Sequence, residues 1–187
     1  MRTKKINSSS MYNFYTPGNR ESRRTAFAEK LINTRIGSLK ESLSDFAGSD
    51  HKLEQIATLS GITFINDARA TNPNAVWFSL SSMTKSTAWI MSINDVAQID
   101  ENLLEEIKRV VKTIILCGIY NREVSDFFTQ MGFKVHLTMN IEEATQTAYY
   151  ASVPGQVVLF SPGNSSVVSL ETYREKGEKF RIAVAQL

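Results

Sequence analysis

Gly61-Ile62-Thr63-Phe64-Ile65-Asn66-Asp67-Ala68-Arg69-Ala70-Thr71-Asn72-Pro73 decides how the rest of the chain is read. Its first five residues are a short, β-branched and aromatic run, the signature of a strand. Pro73, with its fixed φ and missing N–H, suits the first turn of a helix. Between them lie a carboxylate, a guanidinium, a hydroxyl and two amides within seven residues. A strand that empties into a helix through so polar a junction places its side chains where open α/β sheets bind ligands.

The same rhythm continues downstream. Leu53 to Leu59 and Ile62 to Ile65, parted by Ser60-Gly61, read as a hairpin. A helix follows from Pro73 to about Met83, then a strand Thr87–Met91 and a helix from a cap at Asp100 to Val111. Thr113 to Cys117 is a wholly apolar strand, as expected where both sheet faces are covered. Next come a helix from Arg122 to Met131, a strand Lys134–Leu137, a helix from Asn140 to about Ala151 and a strand Gln156–Phe160. A last helix runs from about Val168 to the C-terminus. Strands alternating with helices of this length predict an α/β, Rossmann-like, doubly wound and mainly parallel sheet of about six strands with a short N-terminal hairpin. Before it, residues 1–50 read as a separate segment: irregular to about residue 19, then helical from Glu21 to about Ile36 and from Ser38 to Phe46. The domain boundary is expected at Gly48-Ser49-Asp50, giving segments 1–50 and 51–187.

The chain has 187 residues, of which 42% are apolar, enough for one sizeable core but not two full domains. The lone Cys117 excludes a disulfide framework and reads as a buried core thiol, which with the lack of a signal-like or membrane-spanning apolar run leads to an expected cytoplasmic location. Charge is uneven: residues 1–40 hold nine Lys/Arg against two Glu, whereas the remainder holds twelve against seventeen acidic residues. The basic arm admits a non-enzymatic reading, a module binding nucleic acid or a protein partner, but no aromatic interleaving accompanies it and a nucleic-acid partner is disfavoured. No metal site is expected, because His51, His136 and Cys117 lack ligand spacing. Trp77, Phe78, Tyr149 and Tyr150 read as packing residues, and Glu105-Glu106 and Glu142-Glu143 as solvated helix charges.

Three loops fall at the expected carboxyl ends of strands: Asn66–Asn72, Asn94-Asp95-Val96-Ala97-Gln98, and Ser161-Pro162-Gly163-Asn164-Ser165-Ser166. Taken in order with His51-Lys52-Leu53-Glu54 and Tyr173-Arg174-Glu175-Lys176-Gly177, the first and third resemble the C-terminal domain of the Mur ligases, in particular the branch that adds D-glutamate during peptidoglycan synthesis. The resemblance implies that residues 1–50 are the remnant of a central ATPase domain. It implies ATP and Mg²⁺ as family cofactors, with nucleotide contacts at His51, Lys52 and Asp67. It implies amino-acid substrate contacts at Arg69, Thr71, Asn72, Ser165, Ser166 and Tyr173.

The chain also departs from that pattern. Arg69 stands where the family has Lys, and Ser92-Ile93-Asn94-Asp95-Val96-Ala97 lacks the family's Gly-Gly turn and following Lys. No Gly-x-x-x-x-Gly-Lys-[Ser/Thr] occurs among the nine glycines, so no phosphate cradle is present and no residue is assigned as catalytic. The isolated chain is therefore expected to be inactive, as a fragment or a truncated paralogue. Weak binding of nucleotide or D-glutamate, and a protein partner carrying the ATPase part, are the interactions expected of it. No membrane partner is expected.

Overall fold

The computed structural model describes residues 51–118, 122–164 and 172–187. The helical segments expected in residues 1–50 lie outside the described residues. Within them, six strands form one sheet: β1 (Glu54–Leu59), β2 (Ile62–Asn66), β3 (Thr87–Met91), β4 (Val111–Cys117), β5 (Lys134–Thr138) and β6 (Val157–Phe160). Five helices accompany them: α1 (Pro73–Ser81), α2 (Glu101–Val110), α3 (Arg122–Gln130), α4 (Ile141–Ala151) and α5 (Tyr173–Ala185).

The sheet order is β1-β2-β6-β3-β4-β5. β1 and β2 form the expected hairpin, antiparallel and closed by Ser60 (φ 50°) and Gly61 (φ 77°). Two left-handed residues in a two-residue loop give the type I′ turn, whose twist matches that of the strands. All other neighbours are parallel, with Thr63 to Asn66 paired to Val157 to Phe160, and Thr87 to Ile90 paired to the same four residues on the other side.

Alternation along the strands sorts side chains into two cores. Trp89, Met91, Ile114, Leu116 and Leu159 pack on one face with Val76 and Leu80 of α1, Leu103 and Ile107 of α2, and Val124 and Phe128 of α3. Ala88, Ile90, Ile115, Val158 and Phe160 pack on the other with Ala144 and Ala148 of α4 and Phe180 and Val184 of α5. Helices therefore cover both faces, which is why β6, residues 88–91 of β3 and residues 114–117 of β4 are apolar at consecutive rather than alternate positions.

Side-chain caps fix the helix starts, at Asp100 as expected and also at Asn72 and Asn140. Asn72 accepts from Ala75 N at 3.0 Å with Pro73 at the first helical position, Asp100 accepts from Leu103 N at 2.8 Å, and Asn140 accepts from Glu143 N at 2.8 Å. The last helix differs from expectation. Its described start is Tyr173, capped by Thr172 in a reciprocal box with Glu175, five residues after the start inferred at Val168. Tyr150 is a second correction: it is 82% exposed and not a core residue, whereas its neighbour Tyr149 packs against Phe64 with ring centroids 6.3 Å apart.

Candidate functional site

The chain winding positions a crevice. α1, α2 and α3 lie on one face of the sheet and α4 and α5 on the other, so the loops leaving β2 and β3 turn toward one face while the chain leaving β6 returns on the other. β6 lies between β2 and β3, and ligands of such sheets bind outside the carboxyl ends of the strands where the winding reverses. The ends of β2 and β6 carry Asn66-Asp67 and Ser161.

Asn66 is fully buried and serves as a fastener. Its Nδ2 donates to Gly177 O at 3.1 Å and to His51 Nδ1 at 2.9 Å, while its Oδ1 accepts from Ala68 N at 3.3 Å. His51 is buried with it, its backbone N donating to Glu54 Oε2 at 3.2 Å and its Nε2 lying 3.4 Å from Glu178 Oε1. Arg181 joins the two glutamates, at 2.6 Å to each. The effect is to clip the entry segment and the hairpin to α5.

Asp67 faces inward, 2% exposed. Its carboxylate accepts from Leu53 N at 3.1 Å, from Ser161 Oγ at 3.0 Å and from Ser79 Oγ of α1. Burial pushes its pKa up to about 6, against the opposing pull of those donors and of nearby Lys52. Lys52 is held below the usual ammonium range by partial burial and by the neighbouring Arg69, with Asp67 offsetting part of this. Arg69 is exposed, and its guanidinium stands 5.6 Å from the ring centroid of Tyr173, which has Arg174 at 5.8 Å. Lys52 thus lies within electrostatic reach of both the buried Asp67 carboxylate and the exposed Arg69 guanidinium. Cations in this arrangement suit a phosphate or carboxylate group.

The loop after β6 is bound into the same corner. Ser161 N donates to Ile90 O at 3.1 Å, Trp89 Nε1 donates to Ser161 O at 2.8 Å, and Gly163 N donates to Ala70 O at 2.7 Å. Asn164 Nδ2 and Ser92 N complete the tie, donating to Ser92 O at 3.2 Å and Pro162 O at 2.8 Å respectively. Gly163 is required for its φ of +70° and for the space, because a Cβ there would lie 2.7 Å from Ile93 Cγ1.

No protein-family profile matches the chain. Curated relatives do. The UDP-N-acetylmuramoylalanine–D-glutamate ligase of Christiangramia forsetii is 33% identical over 162 residues, covering 87% of this chain and 36% of the relative. That of Bacteroides fragilis is 33% identical over 150 residues, covering 80% and 34%. The chain therefore spans about a third of the length of the curated relatives it matches. Among solved structures, UDP-N-acetylmuramate-alanine ligase MurC from Thermotoga maritima superposes with a TM-score of 0.52 over 78% of this chain and 32% of that one, at 13% identity, a likeness of fold alone.

The chain belongs to the Mur ligase family.

Its six-stranded α/β unit is the fold of the Mur ligase C-terminal domain. Within this Mur ligase domain, the residues singled out from sequence fall into three groups. Arg69 lies beside Tyr173 and Lys52 lies near Arg69, with Thr71 half-buried on the loop that carries Arg69. His51 and Asp67 are buried and engaged by protein partners, and Asn72 spends its side-chain oxygen on the cap of α1. Ser165 and Ser166 lie outside the described residues. Among the described residues no group of three or more His, Cys, Asp or Glu could hold a metal ion, and no helix is long and apolar enough to cross a membrane.

Sequence reasoning missed Ser79 and the bonding role of Ser161. A signal for Ser79 existed: it occupies the same helical face as Val76, Leu80 and Met83, a polar side chain on an apolar stripe. The loop Asn94–Gln98 also has more structure than expected, a short 3₁₀ turn Val96–Gln98 with Asp95 accepting from Ala97 N at 2.9 Å.

Proposed function

We propose that residues 51–187 serve as the ligand-contacting C-terminal domain of a D-glutamate-adding Mur-type ligase. Lys52 meets the phosphates of ATP, and Arg69, Thr71 and Tyr173 hold the incoming D-glutamate, with Ser165 and Ser166 assigned to the same substrate by resemblance. The observation that supports this reading best is the grouping of Lys52 with the neighbouring Arg69 guanidinium and the buried Asp67 carboxylate at the carboxyl end of β2. A dicarboxylate amino acid and a polyphosphate both call for charge-assisted donors in a partly dry site.

Phosphate activation is not assigned to these residues. The 187-residue sequence carries no Gly-x-x-x-x-Gly-Lys-[Ser/Thr], and ATP with Mg²⁺ would be held chiefly by a polypeptide that does. Acting alone, the chain binds nucleotide or D-glutamate weakly and does not turn over ATP.

Calorimetric titration of the full chain with ADP and with D-glutamate tests this, together with ATPase assays. Weak ADP binding that disappears in the double variant Lys52→Ala, Arg69→Ala is the expected result. Binding that ignores the double substitution, or steady ATP turnover by the chain with UDP-N-acetylmuramoyl-L-alanine and D-glutamate, would remove the reading.

A further inference from the structure

The two edges of the sheet differ. β1 carries a bulge between Gln55 and Ala57, and its Glu54 carboxylate is held by Arg181 of α5 at 2.6 Å, features that blunt an edge. β5 forms the opposite edge with five regularly paired residues, and among the described residues no strand lies beyond it. Thr138 O accepts from Gly118 N at 3.0 Å, so Thr138 turns its backbone groups toward β4. Successive residues of a strand alternate in that direction. Val135 and Leu137 therefore turn their N–H and C=O groups away from the sheet.

Side chains of β5 alternate as well. Val135 pairs with Ile114 and Leu137 with Leu116, which sets both on the face of the first core, against which Phe133 also packs. His136 pairs with Ile115 and Thr138 with Cys117, on the face that α4 covers. Leu137 is 42% exposed, and Met139, the next position of the apolar series 133, 135, 137 and 139, is 81% exposed. Outward backbone groups beside solvent-exposed apolar side chains are what a further strand would pair with.

This edge is complementary to itself. Laid antiparallel on a second copy with the two-fold axis at His136, Val135 exchanges both backbone bonds with the partner's Leu137, and Leu137 with the partner's Val135, so the outward groups of both residues are satisfied. On one face Val135 meets the partner's Leu137 and Phe133 meets the partner's Met139, apolar against apolar. On the other, Lys134 stands opposite the partner's Thr138. The next residue, Met139, donates its N–H to Glu143 Oε2 at 2.7 Å, which brings a carboxylate close to that lysine. A lysine that would deter pairing on an isolated edge thus finds a counter-charge in this register.

We propose that the chain forms a symmetric dimer through β5, joining two six-stranded sheets into one continuous sheet. β3 and β4 separate this edge from β6 and β2, so both crevices stay open. The proposal is independent of the ligand reading.

Sedimentation equilibrium of the full chain between about 10 and 200 µM, the range suited to a small interface, tests it. A reversible monomer–dimer equilibrium is expected, weakened by at least about tenfold in Leu137→Lys and in Leu137→Pro. The proline removes an outward N–H and spares the ladder to β4, and the lysine variant, at an exposed position, carries the measurement where the proline variant does not fold. A second readout fixes the register. In a Cys117→Ala background, His136→Cys places two thiols on the axis, in a non-hydrogen-bonded pair with Cα atoms about 4.5 Å apart, and gives a disulfide-linked dimer; Lys134→Cys, which faces the partner's Thr138, does not. A chain that stays monomeric throughout this range, or that assembles beyond the dimer, overturns the proposal. So does a dimer that ignores both Leu137 substitutions and cross-links no better at position 136 than at 134.

Discussion

Gly177 of α5 packs so tightly beneath His51 that a Cβ on it would lie 2.3 Å from the imidazole Nδ1. In a free helix, replacing glycine by alanine stabilises by about 1 kcal/mol. Here the sign reverses, because His51 is fixed by Asn66 and cannot withdraw. Gly177→Ala is expected to destabilise the fold by about 1–3 kcal/mol, read as a lower urea midpoint. A stabilised variant would show that the His51 clip gives way easily.

Asp67 makes stability depend on pH in a direction unusual for a carboxyl group. Its folded value of about 6 stands above the ordinary 3.8, so the folded protein binds the proton more tightly than the unfolded chain. The resulting destabilisation is fully present above pH 6 and fades as pH falls toward 4. The gap corresponds to at most about 3 kcal/mol. Urea unfolding should show wild type gaining on Asp67→Asn between pH 7.5 and pH 4.5. A constant difference between the two proteins would sink this expectation.

Arg109 of α2 finishes a helix that is not its own. Its guanidinium donates to Met83 O at 3.0 Å and Leu80 O at 2.9 Å, at the end of α1, a helix with no basic residue in its last turn. Glu106 holds it there at 2.6 Å to Nε. Arg109→Ala should cost about 1–2 kcal/mol, and Arg109→Lys should recover less than half, because an ammonium cannot span both carbonyls. Full recovery by lysine would mean that charge, not the fork, does the capping.

Gly163→Ala combines a left-handed φ with a Cβ that meets Ile93 at 2.7 Å and Val76 at 3.0 Å. A loss of about 2 kcal/mol or more is expected, together with faster hydrogen exchange at the Gly163 amide, which donates to Ala70 O. Unchanged exchange at that amide would argue that the loop holds without its glycine.

Local chemistry made the architecture readable. Asn72-Pro73, Asp100 and Asn140 start helices through side-chain caps a few residues long, and the two-residue Ser60-Gly61 turn closes its own hairpin. Tyr150 faces solvent because it lies on the outward face of α4 with Glu142, Glu143 and Gln146, opposite the buried Ile141, Ala144, Thr145 and Ala148, a matter of helical face and not of residue type. The candidate site was only half legible for a related reason. The polar cluster after β2 was visible as residue types, but the inward turn of Asp67 depends on donors at Leu53, Ser79 and Ser161. Nor could the clip of His51 be read locally: Asn66 and Gly177, which it joins, are 111 residues apart.

The place of β6 in the sheet bears on how the chain is made. The hairpin β1-β2 and the parallel unit β3-β4-β5 share no backbone ladder; the last strand in sequence supplies both seams. Until residues 157–160 leave the ribosome, a nascent chain holds two half-sheets, each with a raw edge open to pairing with a stranger. Completion is therefore late and non-local, the kind of closure that slows folding. A chain ending before Val157 would lose more than one strand: no backbone ladder would join its hairpin to β3-β4-β5.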